Sequence, residues 1–133
     1  MSEYTSTKSG FQKAMEWSLT GPPSQTKAYA EATVVPTFCH VMNGERLEYD
    51  AYVKGIEEWR GKISEYKPVV EEFLRDGQQI AARMTGTIKI EGVESFFESF
   101  MFGVVDGETG KLVSLVERSV WGRVGKEPEH GVH

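Results

Sequence analysis

The first third of the chain carries its apolar residues at helical spacing, in two segments. Thr7 is a suitable N-cap for the first segment, and the Gly-Pro-Pro sequence at 21–23 ends it. Ser24 can cap the second segment, which ends at Pro36 because proline cannot continue a helix. The pattern therefore predicts two N-terminal helices. The core-facing positions of the first are Phe11, Ala14, Met15, Ser18 and Leu19.

A period of two replaces the helical spacing between Thr37 and Met42 and predicts a strand. Asn43-Gly44 follows, and this pair favours a tight hairpin because both residues tolerate a positive φ. A short return strand is expected at 46–49, and Asp50 is a suitable N-cap for a third helix lying across the sheet. The stripe of that helix expected to face the core is Tyr52, Ile56, Trp59 and Ile63.

After Pro68 the sequence predicts four consecutive strands with no room for helices between them. Short turns rich in glycine and aspartate separate the strands, so neighbours should pair antiparallel. We predict one α+β domain over residues 7–125, with flexible ends at 1–6 and 126–133. The four strands are expected at Val69–Asp76, Gln78–Glu91, Ser95–Val105 and Lys111–Val124.

Composition narrows the class of protein. The 20 acidic and 15 basic residues are interspersed, so no basic surface for nucleic acid is expected. No apolar run approaches the roughly 20 residues that cross a bilayer, and no leader-like segment opens the chain, which predicts a cytoplasmic protein. Cys39 is the only cysteine, and with few histidines the sequence predicts neither a disulfide nor a metal site.

Four stretches of this pattern resemble the SnoaL-like polyketide cyclase family, at residues 38–44, 50–53, 76–83 and 111–117. Together they are similar to the family's order of elements over residues 8–124. The resemblance implies the cone-shaped fold of nuclear transport factor two, in which a curved antiparallel sheet and N-terminal helices enclose one pocket. Ketosteroid isomerases, limonene-epoxide hydrolases and scytalone dehydratase share that fold.

The resemblance also implies a function. Enzymes of this kind work without a cofactor, hold a hydrophobic substrate in the cone and move protons with buried acids or a histidine. We therefore expect an isomerase or cyclase acting on a hydrophobic, oxygenated small molecule of polyketide or terpenoid type in secondary metabolism. A homodimer is implied as well, because the open sheet of such folds commonly packs against a second copy.

His40 and Glu117 are the leading candidates for proton transfer. His40 is the only histidine within 7–125, and it shares a strand face with Phe38 and Met42. Glu117 interrupts an apolar strand face, where a lone carboxylate needs a partner. The alternatives are structural: a core histidine for His40, and for Glu117 either a pair with an arginine or a contact in a dimer interface.

Glu98 and Arg83 are the second pair of catalytic candidates. Glu98 alternates with phenylalanines, where loss of water would raise the pKa of its carboxyl group. Arg83 could stabilise an enolate if its strand face lines the cone. Alternatively, Glu98 lies on the outer face of the sheet or pairs with Arg83 or Arg118 across strands, and Arg83 is solvated or paired across strands.

Aromatic residues are expected to form the walls of the substrate site, since their rings fill space while a hydroxyl or indole N–H contacts a ligand. The expected wall residues are Tyr29, Phe38, Tyr52, Trp59 and Phe100.

One feature departs from the resemblance. The family's catalytic aspartate on the late strands has no counterpart after Asp76 except Asp106, which lies in a turn. Hydrolase or dehydratase chemistry and a non-catalytic binding or dimerisation module therefore stay open.

Overall fold

The structure is a computed structural model and describes residues 2–123. Two short 3-10 helices at Glu3–Thr5 and Pro23–Gln25 accompany three α-helices and six strands. The helices are α1 (Lys8–Ser18), α2 (Thr26–Thr33) and α3 (Tyr49–Lys62). The strands are β1 (Val34–Met42), β2 (Glu45–Glu48), β3 (Ile63–Asp76), β4 (Gln79–Ile90), β5 (Val93–Val105) and β6 (Leu112–Arg123).

The six strands form one open sheet in the order β2-β1-β6-β5-β4-β3. The meander from β3 to β6 is antiparallel, as predicted. The expectation of a wholly antiparallel sheet is wrong at one place, since β1 pairs with β6 in parallel. A parallel pairing between distant strands leaves no turn signal in the sequence, which is why the pattern did not reveal it.

Strand β3 is longer than predicted and begins at Ile63, which the sequence placed in the third helix. Pro68 lies inside β3 because this strand is at the edge of the sheet, where a missing N–H costs no ladder hydrogen bond. Gly86 lies opposite Pro68, and a Cβ there would come within 2.4 Å of the Lys67 carbonyl oxygen. Glycine therefore allows the close approach of β3 and β4 at this position.

The core lies between the concave face of the sheet and the helices. Phe11 of α1, Phe38 of β1, Ile88 of β4 and Met101 of β5 are almost completely buried there. Thr7 caps α1 as predicted, because its hydroxyl accepts a hydrogen bond from Gly10 N at 3.0 Å. Burial of these large side chains supplies most of the driving force that holds helices on sheet.

The N-terminal segment is more ordered than predicted. Glu3–Thr5 forms a helical turn, and Thr5 is buried with its hydroxyl donating to the Gly110 carbonyl at 2.5 Å. This hydrogen bond fixes the segment against the β5–β6 turn. The flexible end predicted at 126–133 lies outside the described residues.

The third helix differs from the prediction in its start and in its buried face. It begins at Tyr49, so Asp50 lies in the first turn and is not the N-cap. Its buried positions are Tyr52, Ile56 and Arg60, and Trp59 is 46 % exposed instead of facing the core. Arg60 takes the inward position because its guanidinium donates to the Trp17, Ser18 and Pro22 carbonyls at the end of α1.

The boundary between the second helix and the first strand also lies earlier than predicted. Helix α2 ends at Thr33, and Pro36 is part of β1. Val34 and Phe38 of this strand are buried against the helices. The longer strand carries His40 onto the concave face.

Candidate functional site

A histidine and a glutamate meet on the concave face of the sheet. In the parallel register of β1 and β6, His40 lies opposite Leu115, and Met42 lies opposite Glu117. The side chains of His40 and Glu117 therefore project from the same face of the sheet, offset by two residues along the strands. His40 Nε2 lies 3.0 Å from Glu117 Oε1. Their side chains are only 12 % and 11 % exposed, so water screens the pair weakly.

Aromatic rings surround this His40–Glu117 pair. The edge of the Tyr52 ring meets the His40 ring at 5.5 Å between centroids, and Phe38 packs against both. On the β5–β6 side, Phe97 contacts the rings of Tyr66 and Trp121. The pair is thus enclosed by apolar surface, as in sites that bind small hydrophobic ligands.

Two buried tyrosine hydroxyls lie beside the pair. The hydroxyl oxygens of Tyr29 and Tyr52 are 3.1 Å apart. Burial raises the pKa of Tyr52 well above its ordinary value, and the negative charge of Glu117 adds to that rise. Burial likewise raises the pKa values of Tyr29 and Tyr66. All three hydroxyls therefore keep their protons and can act as hydrogen-bond donors.

Two serine hydroxyls form a hydrogen-bonded chain to Oε2 of Glu117, the carboxylate oxygen that His40 does not contact. Ser119 Oγ lies 3.3 Å from Glu117 Oε2 and 2.6 Å from Ser99 Oγ. Asn43, at the hairpin between β1 and β2, accepts a hydrogen bond from Ser119 N at 2.8 Å through Oδ1. Its own N–H donates to the Glu117 carbonyl at 2.9 Å, so this hairpin is held to β6 beside the pair.

One ring nitrogen of His40 remains available to a ligand. Nε2 is bonded to Glu117, whereas Nδ1 has no hydrogen-bond partner within residues 2–123. In that range Thr26 Oγ1 is the only fully buried side-chain polar atom without a partner. Since Nδ1 is neither hydrogen-bonded nor among the fully buried atoms, it keeps some accessible surface.

The other two candidates, Arg83 and Glu98, lie on the outer, convex face of the sheet. Arg83 bonds the Glu72 carboxylate in bidentate fashion at 2.6 and 2.9 Å and reaches Glu98 Oε2 at 2.9 Å. The hydrogen bonds from Arg83 lower the pKa of Glu72. The structure therefore does not bring Arg83 and Glu98 together with His40 and Glu117, and the alternative of a cross-strand pair on the outer face describes them.

The five expected wall residues separate into two groups. Phe38, Tyr29 and Tyr52 lie around the His40–Glu117 pair. Phe100 is 45 % exposed on the outer face beside Arg83, and Trp59 is exposed on α3. Period two alone could not assign faces on β5, because both faces of that strand carry phenylalanine.

Several residues of the site were missed from the sequence, namely Asn43 as a side chain, Tyr66, Phe97, Ser99 and Ser119. Ser119 stands two positions from Glu117 on the same strand face, and this spacing was the available signal. Ser99 could be found only through the β5–β6 register, which pairs it directly with Ser119.

Two depressions lie elsewhere on the surface. One of about 500 Å³ lies between the start of α1 and Val70, and one of about 390 Å³ lies over the outer face near Phe102. Neither is lined by His40 or Glu117. Within residues 2–123 no three histidine, cysteine or acidic side chains are grouped as metal ligands, and no helix is long and apolar enough to cross a membrane.

Comparison with solved structures identifies the fold. No family model and no curated protein sequence matches the chain. BvnE pinacolase from Penicillium brevicompactum is similar with a TM-score of 0.70 at 6% identity, over 88% of this chain and 82% of that one. An LEH-like epoxide hydrolase from M. tuberculosis gives 0.63 at 14% identity, over 81% and 80% of the two chains.

A designed protein carries the same architecture. The de novo designed NTF2 fold protein NT-9 is similar with a TM-score of 0.58 at 17% identity, over 84% of this chain and 85% of that one. Likeness at such low identities establishes the fold and leaves the reaction to be argued from the site. The chain therefore has the cone-shaped fold of the nuclear transport factor 2-like superfamily.

Proposed function

We propose that the chain is a cofactor-independent isomerase or cyclase that transfers protons on a hydrophobic, oxygenated small molecule. The observation that carries the proposal is the His40–Glu117 pair, 3.0 Å apart in an aromatic enclosure. Ionisable groups so placed are typical of acid–base sites. The comparisons support catalysis on small molecules in this fold, since BvnE is named a pinacolase and another neighbour an epoxide hydrolase.

The geometry assigns a role to each member of the pair. An ionised Glu117 can only accept, so it holds His40 in the tautomer with hydrogen on Nε2. Nδ1 then carries the lone pair and acts as the general base towards a C–H beside a carbonyl group. Glu117 stabilises the imidazolium that forms, and the imidazolium returns the proton at another position of the substrate.

Tyr52 and Tyr29 are the proposed donors to the oxygen that becomes negative. Their hydroxyls carry two hydrogens, and the bond between them uses one. The other hydrogen is available to an enolate oxygen, and the raised pKa values of Tyr29 and Tyr52 keep it in place whichever hydroxyl carries it. The sequence indicated Arg83 for this role, but Arg83 lies on the outer face, which favours a tyrosine.

A proton-exchange experiment tests the proposal without knowledge of the natural substrate. Cyclic ketones with an enolisable C–H are incubated with the protein in D₂O, and deuterium at carbon is followed by NMR. We expect catalysed exchange that His40→Gln and Glu117→Gln each reduce by about a hundredfold. Glu98→Gln is the matched control on the outer face and should leave the exchange rate unchanged. Equal rates for wild type and both pair variants would exclude the mechanism.

Two alternatives give different outcomes in related experiments. A hydrolase would instead activate water, and incorporation of ¹⁸O from labelled water into the product of an opened epoxide would reveal it. A dehydratase would eliminate water from a hydroxyl-bearing substrate, and the new carbon–carbon double bond would reveal it. A non-catalytic binding module would take up the ketone, seen as shifts of His40 and Tyr52 signals, with no exchange. The free Nδ1 of His40 favours proton transfer over a purely structural role for this histidine.

The finer features of the proposal rest on the resemblance to SnoaL-like cyclases. They are a polyketide- or terpenoid-type substrate, a place in secondary metabolism and a cytoplasmic location. A homodimer is proposed on the same ground and is supported by the exposed apolar side chains of the outer face. Those side chains are Leu74, Phe100, Phe102, Val104, Val116 and Val120.

A further inference from the structure

The hydroxyl pair Ser99–Ser119 is an unusual feature of the concave face. The two residues are direct partners in the β5–β6 ladder, and both are 2 % exposed. Buried hydroxyls cost free energy unless they are hydrogen-bonded. Here they bond each other at 2.6 Å, in a layer between Met101 and Phe97 of the same strand. Two alanines would fill this layer at lower cost, so the hydroxyls call for another explanation.

The positions of the hydrogens give the chain of hydroxyls a direction. Ser119 Oγ has one hydrogen and three polar neighbours: Glu117 Oε2 at 3.3 Å, Ser99 Oγ at 2.6 Å and Met42 Sδ at 3.9 Å. A carboxylate is the strongest acceptor of the three. Ser119 therefore donates to Glu117, and Ser99 donates to Ser119.

Both carboxylate oxygens of Glu117 are then occupied, Oε1 by His40 and Oε2 by Ser119. We propose that Ser119, set by Ser99, is a positioning residue that fixes the rotation of the Glu117 carboxylate and thereby holds His40 in its Nε2–H tautomer. This inference rests on the proposed function, because it concerns how the pair is kept ready for proton transfer. The backbone of Ser119 is itself fixed by the side chain of Asn43.

The test compares two variants of equal shape. Ser119→Thr keeps the hydroxyl, and Ser119→Val replaces that hydroxyl by a methyl group, so their difference isolates the hydrogen bond. The readout is the Nε2 proton of His40, which resonates far downfield in ¹H NMR when it is bonded to a carboxylate; its absence in His40→Gln assigns it. The titratable groups that face it are Glu117 of β6, Tyr52 of α3, Tyr29 of α2 and Tyr66 of β3.

We expect Ser119→Thr to keep this signal and Ser119→Val to speed its exchange with water by about tenfold, the factor of one lost hydrogen bond. With a ketone that the wild type exchanges, Ser119→Val should lower kcat by about tenfold and leave KM unchanged, since orientation and not binding is lost. Unchanged exchange and unchanged kcat in Ser119→Val would overturn the proposal.

A second variant covers the case in which the added methyl group disturbs packing in both Ser119 variants. Ser99→Ala removes the supporting donor without touching Ser119, and faster exchange of the His40 proton in it supports the proposal; an unaltered rate overturns it. Glu117→Gln separates this proposal from the one on which it rests. If that variant leaves the His40 proton unaffected, the pair itself does not form in solution and the proposed function fails first.

Discussion

At the scale of single residues, the concave face of the sheet buries several tyrosine hydroxyls near the Glu117 carboxylate. Tyr29, Tyr52 and Tyr66 are three of the five tyrosines, and each contributes a hydroxyl to the surroundings of Glu117. Removing a phenol from water penalises its charged form, and a nearby carboxylate adds to the penalty. The same environment that keeps the hydroxyls as donors must therefore make the fold sensitive to alkaline pH.

The alkaline limit of stability follows from those raised pKa values. The folded chain holds the phenol protons more tightly than the unfolded chain, in which they leave near the ordinary pKa of about 10. Stability is fully present below that pH and falls above it, by about 1.4 kcal/mol per pH unit for each such tyrosine. Urea unfolding at a series of pH values should show the unfolding free energy falling above that pH. Tyr52→Phe should reduce the slope of this free energy against pH by about 1.4 kcal/mol per pH unit, the contribution of one tyrosine. Referring each protein to its own stability at pH 7 removes the effect of the lost Tyr29 hydrogen bond. Parallel pH curves for the two proteins would contradict the assignment.

At the scale of elements, the contact between the β1–β2 hairpin and β6 decides where His40 stands. The sequence indicated the hairpin correctly through Asn43-Gly44, but the side chain of Asn43 has a second role. Its amide accepts from Ser119 N and donates to Ser119 O at 3.4 Å, across 76 residues of chain. Local pattern predicts a turn; it does not predict which distant strand that turn contacts.

Variants of Asn43 separate its role in the turn from the hydrogen bonds that its side chain makes with Ser119. Asn43 has a φ of 49°, which glycine adopts without strain, so Asn43→Gly removes only the side-chain hydrogen bonds. We expect it to lose about 2 kcal/mol of unfolding free energy, with Asn43→Ala losing about 1 kcal/mol more from backbone strain.

Glu91 offers the matched control, since its φ of 50° also precedes a glycine in a hairpin. Glu91→Gly should be neutral or slightly stabilising in the same chemical unfolding measurement. Amide exchange at Ser119 N, the proton that Asn43 accepts, should accelerate in Asn43→Gly and not in Glu91→Gly. Equal changes in the two glycine variants would mean that the turn alone matters.

At the scale of the whole molecule, the sequence predicted the α+β class, the hairpin and the antiparallel meander, because each depends on local periodicity and turn chemistry. It also selected His40 and Glu117, whose isolation on apolar faces is a local feature. It did not predict the parallel β1–β6 contact that joins them. Arg83 and Phe100 were misplaced for a related reason, since the face of a strand that points inward is decided by neighbours distant in sequence.

The outer face of the sheet is the surface through which the proposed homodimer would form. Three exposed apolar side chains lie side by side across strands β3, β5 and β6, namely Leu74, Phe102 and Val116. Phe102 is 66 % exposed. Contiguous apolar surface of this kind marks an interaction site, and a second copy of the chain is the occupant that the proposed homodimer requires. The Arg83 network beside it contains one arginine and two glutamates, so both signs of charge are present at the edge of this apolar surface.

A single substitution tests this assembly. Light scattering after size exclusion should give the wild type twice the 14.9 kDa mass of the chain, and Phe102→Asp should give the monomer mass because it places a charge in the apolar interface. Val93→Asp is the control, since Val93 is also exposed, at 45 %, but lies at the start of β5, away from Phe102. Circular dichroism should show both variants folded. A wild type that is monomeric at all concentrations, or a Phe102→Asp protein that remains dimeric, would remove the outer face as the interface.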